Sequence, residues 1–272
     1  MKIRIAACAF IMAVASFISA EPAVQGFYLD QNLGGAYNPL GVQLGTKFLY
    51  RMPLDIGKGV LWESAKIDAG LGNELSPAYD FIGAFVDAEP IAIFDLAVSA
   101  KFAGYYSGLG YGFHDLAGYS AAFDTNTLDS LSSKNAIGYI VSVAPTLKFA
   151  FGPFAFSNTF HVNYFNVDGG GGYFYEAYAN CVLAKSDIDL FNDAYALLSI
   201  GSGIMVGLND SFLIVPASGY QSQVLQAIGI LQKSLSGRLS VYAALMAGLY
   251  LEDRYYQYSP HVAGQVGFTS AL

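Results

Sequence analysis

Charged side chains recur along this chain with a period of two. Lys47, Arg51, Lys66, Lys101 and Lys148 fall among polar or small neighbours, and Asp68, Asp95 and Glu176 share their phase. Charges of both signs on one face of extended segments have two uses. They line an aqueous path and bias the ions that enter it, or they neutralise one another as an interior ion-pair network, because buried charges need partners. His161 and Asn163 continue the polar phase beside Ser157 and Thr159. Ser157, His161 and Asn163 are the residue types of a nucleophile, a base and an orienting group. Neighbours on one strand do not supply that geometry by themselves, so a hydrogen-bonded interior histidine is the plainer reading. His114, His161 and His261 are too scattered for a zinc site. No His-Glu-x-x-His motif or calcium-loop run occurs, and Gly169–Gly172 lacks the Lys-Ser/Thr of a phosphate cradle. No cofactor or metal is expected.

The elements that position these residues are strands. Val42, Leu44, Thr46, Phe48, Tyr50 and Met52 alternate with Gln43, Gly45, Lys47, Leu49 and Arg51. The same pattern recurs with Phe94, Leu96, Val98 and Phe102 against Asp95, Ser99 and Lys101. It recurs again with Phe154, Phe156, Phe160 and Val162 against Ser157, Thr159, His161 and Asn163. One face is apolar and the other is polar or small. A soluble sandwich alternates too, but its outward face would carry more charge.

Composition decides between the two. The 272 residues are 54% hydrophobic and 15% aromatic but only 12% charged, about half the charge of an ordinary soluble domain. The net charge of −8 opposes nucleic-acid binding, which needs Lys and Arg against phosphate. Beyond the N-terminus no apolar run approaches the ~20 residues of a membrane helix. In a bilayer every backbone polar group must be paired, so a spanning chain without helices must close a barrel. Aromatics near the strand ends, Tyr105, Tyr106, Tyr164, Phe165, Tyr250 and Tyr255 among them, suit interfacial girdles.

Lys2 and Arg4 precede an apolar run to Ile18 and small residues at Ser19-Ala20. This predicts a cleaved secretory signal peptide, 1–20, ahead of a barrel domain, 21–272. Cleavage leaves Cys181 as the one cysteine, which excludes an intramolecular disulfide.

Strands are predicted near 24–36, 41–53, 62–73, 77–88, 91–106, 136–151, 153–165, 172–184, 193–207, 222–233, 237–250 and 260–270. The long 107–135 connection belongs outside, and the tight turns at Gly152-Pro153 and Ser236-Gly237 belong in the periplasm. The expectation is an all-β, transmembrane, antiparallel up-and-down β-barrel of about twelve strands. Val224, Ala227, Ile228, Leu231 and Leu235 have helical spacing; a helix within 208–236 would leave ten or eleven. Asp168, Asp187, Asp189 and Asp210 are assigned to connections, so five cations face inward against three acids.

The pattern resembles Gram-negative outer-membrane β-barrel proteins. It is similar, more narrowly, to an uncharacterised barrel family, through Asn38-Pro39-Leu40-Gly41, Ser76-Pro77-Ala78-Tyr79, Glu89-Pro90-Ile91-Ala92, Pro216-Ala217-Ser218-Gly219-Tyr220 and Leu251-Glu252-Asp253-Arg254. The resemblance brings no established activity. It implies residence in the bacterial outer membrane, with the lipid bilayer and the outer-membrane assembly machinery as partners. The C-terminal Thr269-Ser270-Ala271-Leu272 departs from the usual terminal aromatic, a place Phe268 can take. Three functions are weighed: a narrow, porin-like passive transporter of small polar or anionic solutes, favoured by the inward lysines; a plugged structural or surface-interaction barrel presenting the 107–135 loop; and a lipid-modifying enzyme built on His161. The first is preferred, and no enzymatic role is expected.

Overall fold

A computed structural model describes residues 23–109 and 111–272 of the chain. The predicted leader, 1–20, lies outside the described residues. Twelve antiparallel strands close a barrel. In chain order these are β1 (Gly26–Tyr37), β2 (Gly41–Pro53), β3 (Lys66–Leu75), β4 (Tyr79–Ile91), β5 (Phe94–Tyr105), β7 (Ala136–Phe151), β8 (Phe154–Asp168), β11 (Ser186–Gly201), β12 (Ile204–Val215), β13 (Tyr220–Ser236), β14 (Leu239–Glu252) and β15 (Pro260–Ala271). Each wall strand pairs with the next, and β1 pairs with β15 to close the ring. No sheet edge is left in the wall.

The period-two pattern sets the register. Phe48, Leu71, Ile82, Phe102, Phe149 and Leu245 are exposed on the outer wall. Their neighbours in sequence, such as Lys47, Gly72, Gly83, Lys101, Lys148 and Ala244, turn inward. Because the side-chain period is two, one residue of slip would exchange the two faces.

Both termini of the ring leave at one end, where β7 and β8, β11 and β12, and β13 and β14 are joined by two-residue turns. The long connections, 106–135 and 169–185, leave at the other. They carry the remaining elements: β6 (His114–Leu116), the short α1 (Thr125–Ser130), β9 (Tyr173–Glu176) and β10 (Cys181–Ala184). Asp124 caps α1, its Oδ1 accepting the Asn126 and Thr127 amides at 3.0 and 3.2 Å. β10, β9 and β6 form a separate three-stranded sheet.

Three strand assignments are corrected. Residues 172–184 are not in the wall; they are the β9–β10 hairpin of the small sheet. The 193–207 segment contains a turn at Ser202-Gly203, with β11 before it and β12 after it. The 208–236 stretch holds the end of β12 and all of β13, with no helix. The apparent helical spacing there has a packing cause. Leu197, Met205, Ile228, Ile230, Ala244 and Met246 form a buried apolar cluster on the inner face, while Leu208, Leu225 and Leu231 are exposed on the outer one. With both faces apolar, alternation is lost.

Candidate functional site: a capped, charge-lined lumen

The small sheet and its flanking loops fold into the long-loop end of the barrel. Phe113, Phe123, Phe174 and Leu183 come from the loops; Tyr79, Phe81, Phe165 and Val167 come from the inner faces of β4 and β8. All are at most 1–2% exposed. Burial of each large side chain contributes about 1.5–3 kcal/mol before ordering costs. Phe113 stacks on Phe174 at 4.9 Å, and Tyr178 stands edge-on to Tyr79 and Phe81, each at 6.2 Å. Gly169 is required here, because any side chain would enter the Phe113 ring. Hydrogen bonds tie the cap to the wall: Tyr119 donates to Asp187 at 2.9 Å and Tyr220 to the Asn180 carbonyl at 3.3 Å.

Below the cap lies a cavity of about 990 Å³ whose lining runs from Tyr178, Ala179 and Asn180 to residues at both chain ends. Its charged wall is built by β1 to β5 and β7. Arg51 grips Asp68 with two bonds, Nε to Oδ1 at 2.8 Å and Nη2 to Oδ2 at 2.7 Å. The two residues are directly opposite in register, where opposite charges support a strand pair. Glu89 accepts from Lys66 at 2.7 Å, from Lys148 at 3.0 Å and from the Ser64 hydroxyl at 2.7 Å. Lys101 reaches Glu74 at 2.6 Å. Gly83 faces Lys101 in register and has no side chain to obstruct that reach. Lys47 differs: its ammonium lies 4.7 Å from the Phe85 ring centroid and, among the described residues, makes no ion pair within 4 Å. The opposite wall, on β11 to β14, is the apolar cluster of Leu197, Met205, Ile228 and Ile230.

No protein-family model and no curated relative matches the sequence. Solved structures do match in fold. The β-domain of the Bordetella autotransporter Brka aligns at a TM-score of 0.50 and 10% identity, over 92% of this chain and 100% of that one. The translocator domain of autotransporter NalP from Neisseria meningitidis gives 0.46 at 9% identity, over 95% and 91% of the chains. A monoaromatic hydrocarbon channel, CymD, gives 0.45 at 7%, over 93% and 89%. The chain has the fold of an outer-membrane β-barrel. The apolar outer wall suits that membrane, and the long-loop end with its cap is the extracellular one by the usual rule of short periplasmic turns.

Within this outer-membrane barrel, Lys47, Arg51, Lys66, Asp68, Asp95, Lys101, Lys148, His161 and Asn163 all line the cavity. Glu176 does not belong to the wall: it sits fully buried on β9 inside the cap. Its carboxyl accepts from Tyr105 at 3.2 Å and from the Ala179 amide at 2.5 Å. Burial, and secondly the nearby Asp189 carboxylate, push it up to about 8.

Ser157, His161 and Asn163 are not brought together as a catalytic group. Asn163 donates to Asp189 at 2.7 Å, His161 packs beside Phe191 with ring centroids 5.7 Å apart, and no hydrogen bond joins His161 to Ser157 among the described residues.

The inward acids were undercounted. Asp30, Glu74, Asp87, Glu89 and Asp189 also line the cavity, and Asp193 is buried behind it. With Asp68 and Asp95, seven acids of the lining stand against six cations, Lys47, Arg51, Lys66, Lys101, Lys148 and Arg238. The expected cationic bias is therefore absent. Asp30 was legible, since it alternates with Leu29 and Leu33. Asp187 and Asp189 belong to β11, not to a connection. The cap had a signal too: at its upper end the inward phase turns apolar, at Phe81, Phe165, Val167, Leu213 and Val215.

Proposed function

We propose that this protein is a capped outer-membrane barrel that admits small polar solutes to its lumen from the periplasmic side and passes them only when the cap shifts. The observation that carries this reading is the division of one lumen into two parts: a packed aromatic cap at the extracellular end and a charge-lined cavity of about 990 Å³ beneath it. That volume is at the upper end of the range for small-molecule sites. The near balance of charge in the lining favours polar or zwitterionic solutes over anions. The 107–135 loop contributes Phe113, Phe123 and Leu128 to the cap, so its first role is closure, with surface interaction left to its exposed residues.

The test is single-channel conductance in a planar bilayer. The wild type is expected to be silent or to open briefly. A variant with residues 173–184 replaced by a short Gly-Ser linker should give long-lived steps, once heat-modifiable mobility shows that its barrel is folded. Silence from that folded variant would remove the gating role. Steady conductance from the wild type equal to that of the variant would show that the cap does not close the lumen.

A further inference from the structure

Among the described residues, one connection at the periplasmic end is unlike the rest. Residues 92–93, 152–153, 202–203 and 237–238 are two-residue turns, while 54–65 joins β2 to β3 with twelve residues. Short periplasmic connections are the rule for such barrels. The pairing of β2 with β3 does not need the extra length, because Pro53 and Lys66 are already opposite in register. The loop carries Ile56, Val60 and Leu61, all exposed, Val60 by 71%. It also carries Trp62, the one tryptophan of the chain, and Lys58 between Gly57 and Gly59.

The loop is a built structure. Its ends close through the Leu54 amide, which donates to the Ala65 carbonyl at 2.8 Å. Gly59 turns the chain with a φ of 94°, and its carbonyl accepts the Trp62 amide at 2.8 Å. The Trp62 ring lies over Gly57, where any side chain would enter it. At the foot, the Ser64 hydroxyl donates to Glu89 at 2.7 Å and joins the lysine clamp at the cavity mouth. Ser64 lines the cavity, but residues 54–63 do not. The apolar part of the loop therefore lies off the lumen. Its course is fixed by the Ala92 amide, which donates to the Leu61 carbonyl at 2.9 Å. Ala92 is in the turn between β4 and β5, so the loop follows the rim of the wall.

Height decides what surrounds it. The outer wall is apolar down to this rim, with Met52 near the end of β2, Ile93 in the β4–β5 turn and Phe151 at the end of β7 all exposed. The Leu61 backbone is bonded to that rim, and Val60 and Trp62 follow at about 3.8 Å between Cα atoms. The headgroup layer beyond the hydrocarbon is about 5–7 Å thick on each side. Val60, Leu61 and Trp62 are held within that layer and do not project past it. The residue types suit it. An indole pairs an apolar ring with one polar N–H and favours the membrane interface; the Trp62 Nε1–H donates to no protein group among the described residues. A lysine carries its ammonium to lipid phosphate on an apolar stem. Lys58 makes no ion pair within 4 Å among the described residues, although Asp55 and Glu63 share its loop. The lipid contact that covers Met52 and Ile93 thus continues over Val60 and Leu61.

We propose that the 54–65 loop is a membrane-surface anchor, seated among the phospholipid headgroups of the periplasmic leaflet with Val60 and Leu61 toward the acyl chains. The full barrel in phospholipid nanodiscs tests this, because native tryptophan emission reports Trp62 alone. Lipids brominated near the headgroup end of the acyl chain should quench that emission more than lipids brominated near the methyl terminus, and more than acrylamide in the water. Val60→Asp, checked for a folded barrel by heat-modifiable mobility, should lose most of the lipid quenching and gain acrylamide quenching, since a charge on the apolar face lifts the loop off the lipid. Val60→Leu, which keeps that face apolar, should match the wild type. The proposal is overturned if acrylamide quenches the wild type and shallow bromine does not, which puts the loop in the periplasm. It is overturned if neither quencher reaches Trp62, which means a loop covered by protein. It is also overturned if Val60→Asp keeps the wild-type quenching, which makes the nearness of Trp62 to lipid a consequence of the rim alone.

Discussion

Glu176 makes the cap sensitive to pH in a direction that can be worked out. It is fully buried on β9, bonded by Tyr105 and the Ala179 amide, with Cys181, Tyr178 and Asp189 near it. Burial raises its pKa from 4.5 to about 8, so the docked cap holds a proton that an undocked, hydrated cap releases. A proton bound only in the docked state stabilises docking fully below pH 4.5, and that stability is lost as pH rises to about 8. Each pH unit of that window is worth about 1.4 kcal/mol, so up to roughly 5 kcal/mol of docking stability disappears across it. Amide hydrogen exchange over 173–184 is the assay, corrected for intrinsic base catalysis and compared with wall strands in the same sample. Protection of the cap should fall by up to about tenfold per pH unit while the wall holds steady. Glu176→Gln keeps a side chain of the same shape and cannot ionise, so its profile should be flat and its cap should stay docked at pH 9. A wild-type profile as flat as that of the variant, or the same slope in both, would refute the argument.

Two further outcomes follow from the packing and the charge lining. Phe81→Ala removes a ring that is 1% exposed between Tyr79, Tyr105 and Tyr178; it should cost the cap about 3–5 kcal/mol, read as faster proteolysis of 107–135 with wall strands still protected. Lys47→Glu should shift the reversal potential of the cap-deleted channel further towards cations than Lys66→Glu does. Lys66 already bonds Glu89 at 2.7 Å and Lys47 has no such partner among the described residues, so equal shifts would show that its ammonium does not set the local potential.

The wall was legible because lipid outside and water or charge inside impose opposite demands on adjacent residues. Where both demands hold, as in β2, β5 and β8, alternation gave face and register directly. It failed where the lumen itself is dry. On β13, Ile228 and Ile230 face an apolar interior and Leu225 and Leu231 face lipid, so period two vanished and a helical spacing took its place by chance. Residues 172–184 failed for a different reason: β9 and β10 are strands, but β10 pairs only with β9, and β9 pairs with β6, nearly sixty residues earlier, and such non-local pairing leaves no trace in either segment alone. The lumen lysines were found because a lysine among apolar residues is conspicuous. Their partners Glu74 and Glu89 were not, because each falls one residue beyond a predicted strand, and Asp187 and Asp189 resemble an ordinary hydrophilic turn until β11 is placed. Asp210 was set aside in the same way, as one more acid of a connection. Only the register of β12, which turns Asn209 inward and Asp210 to the outer face, separates a solvated turn from a wall carboxylate held by the Gln223 amide.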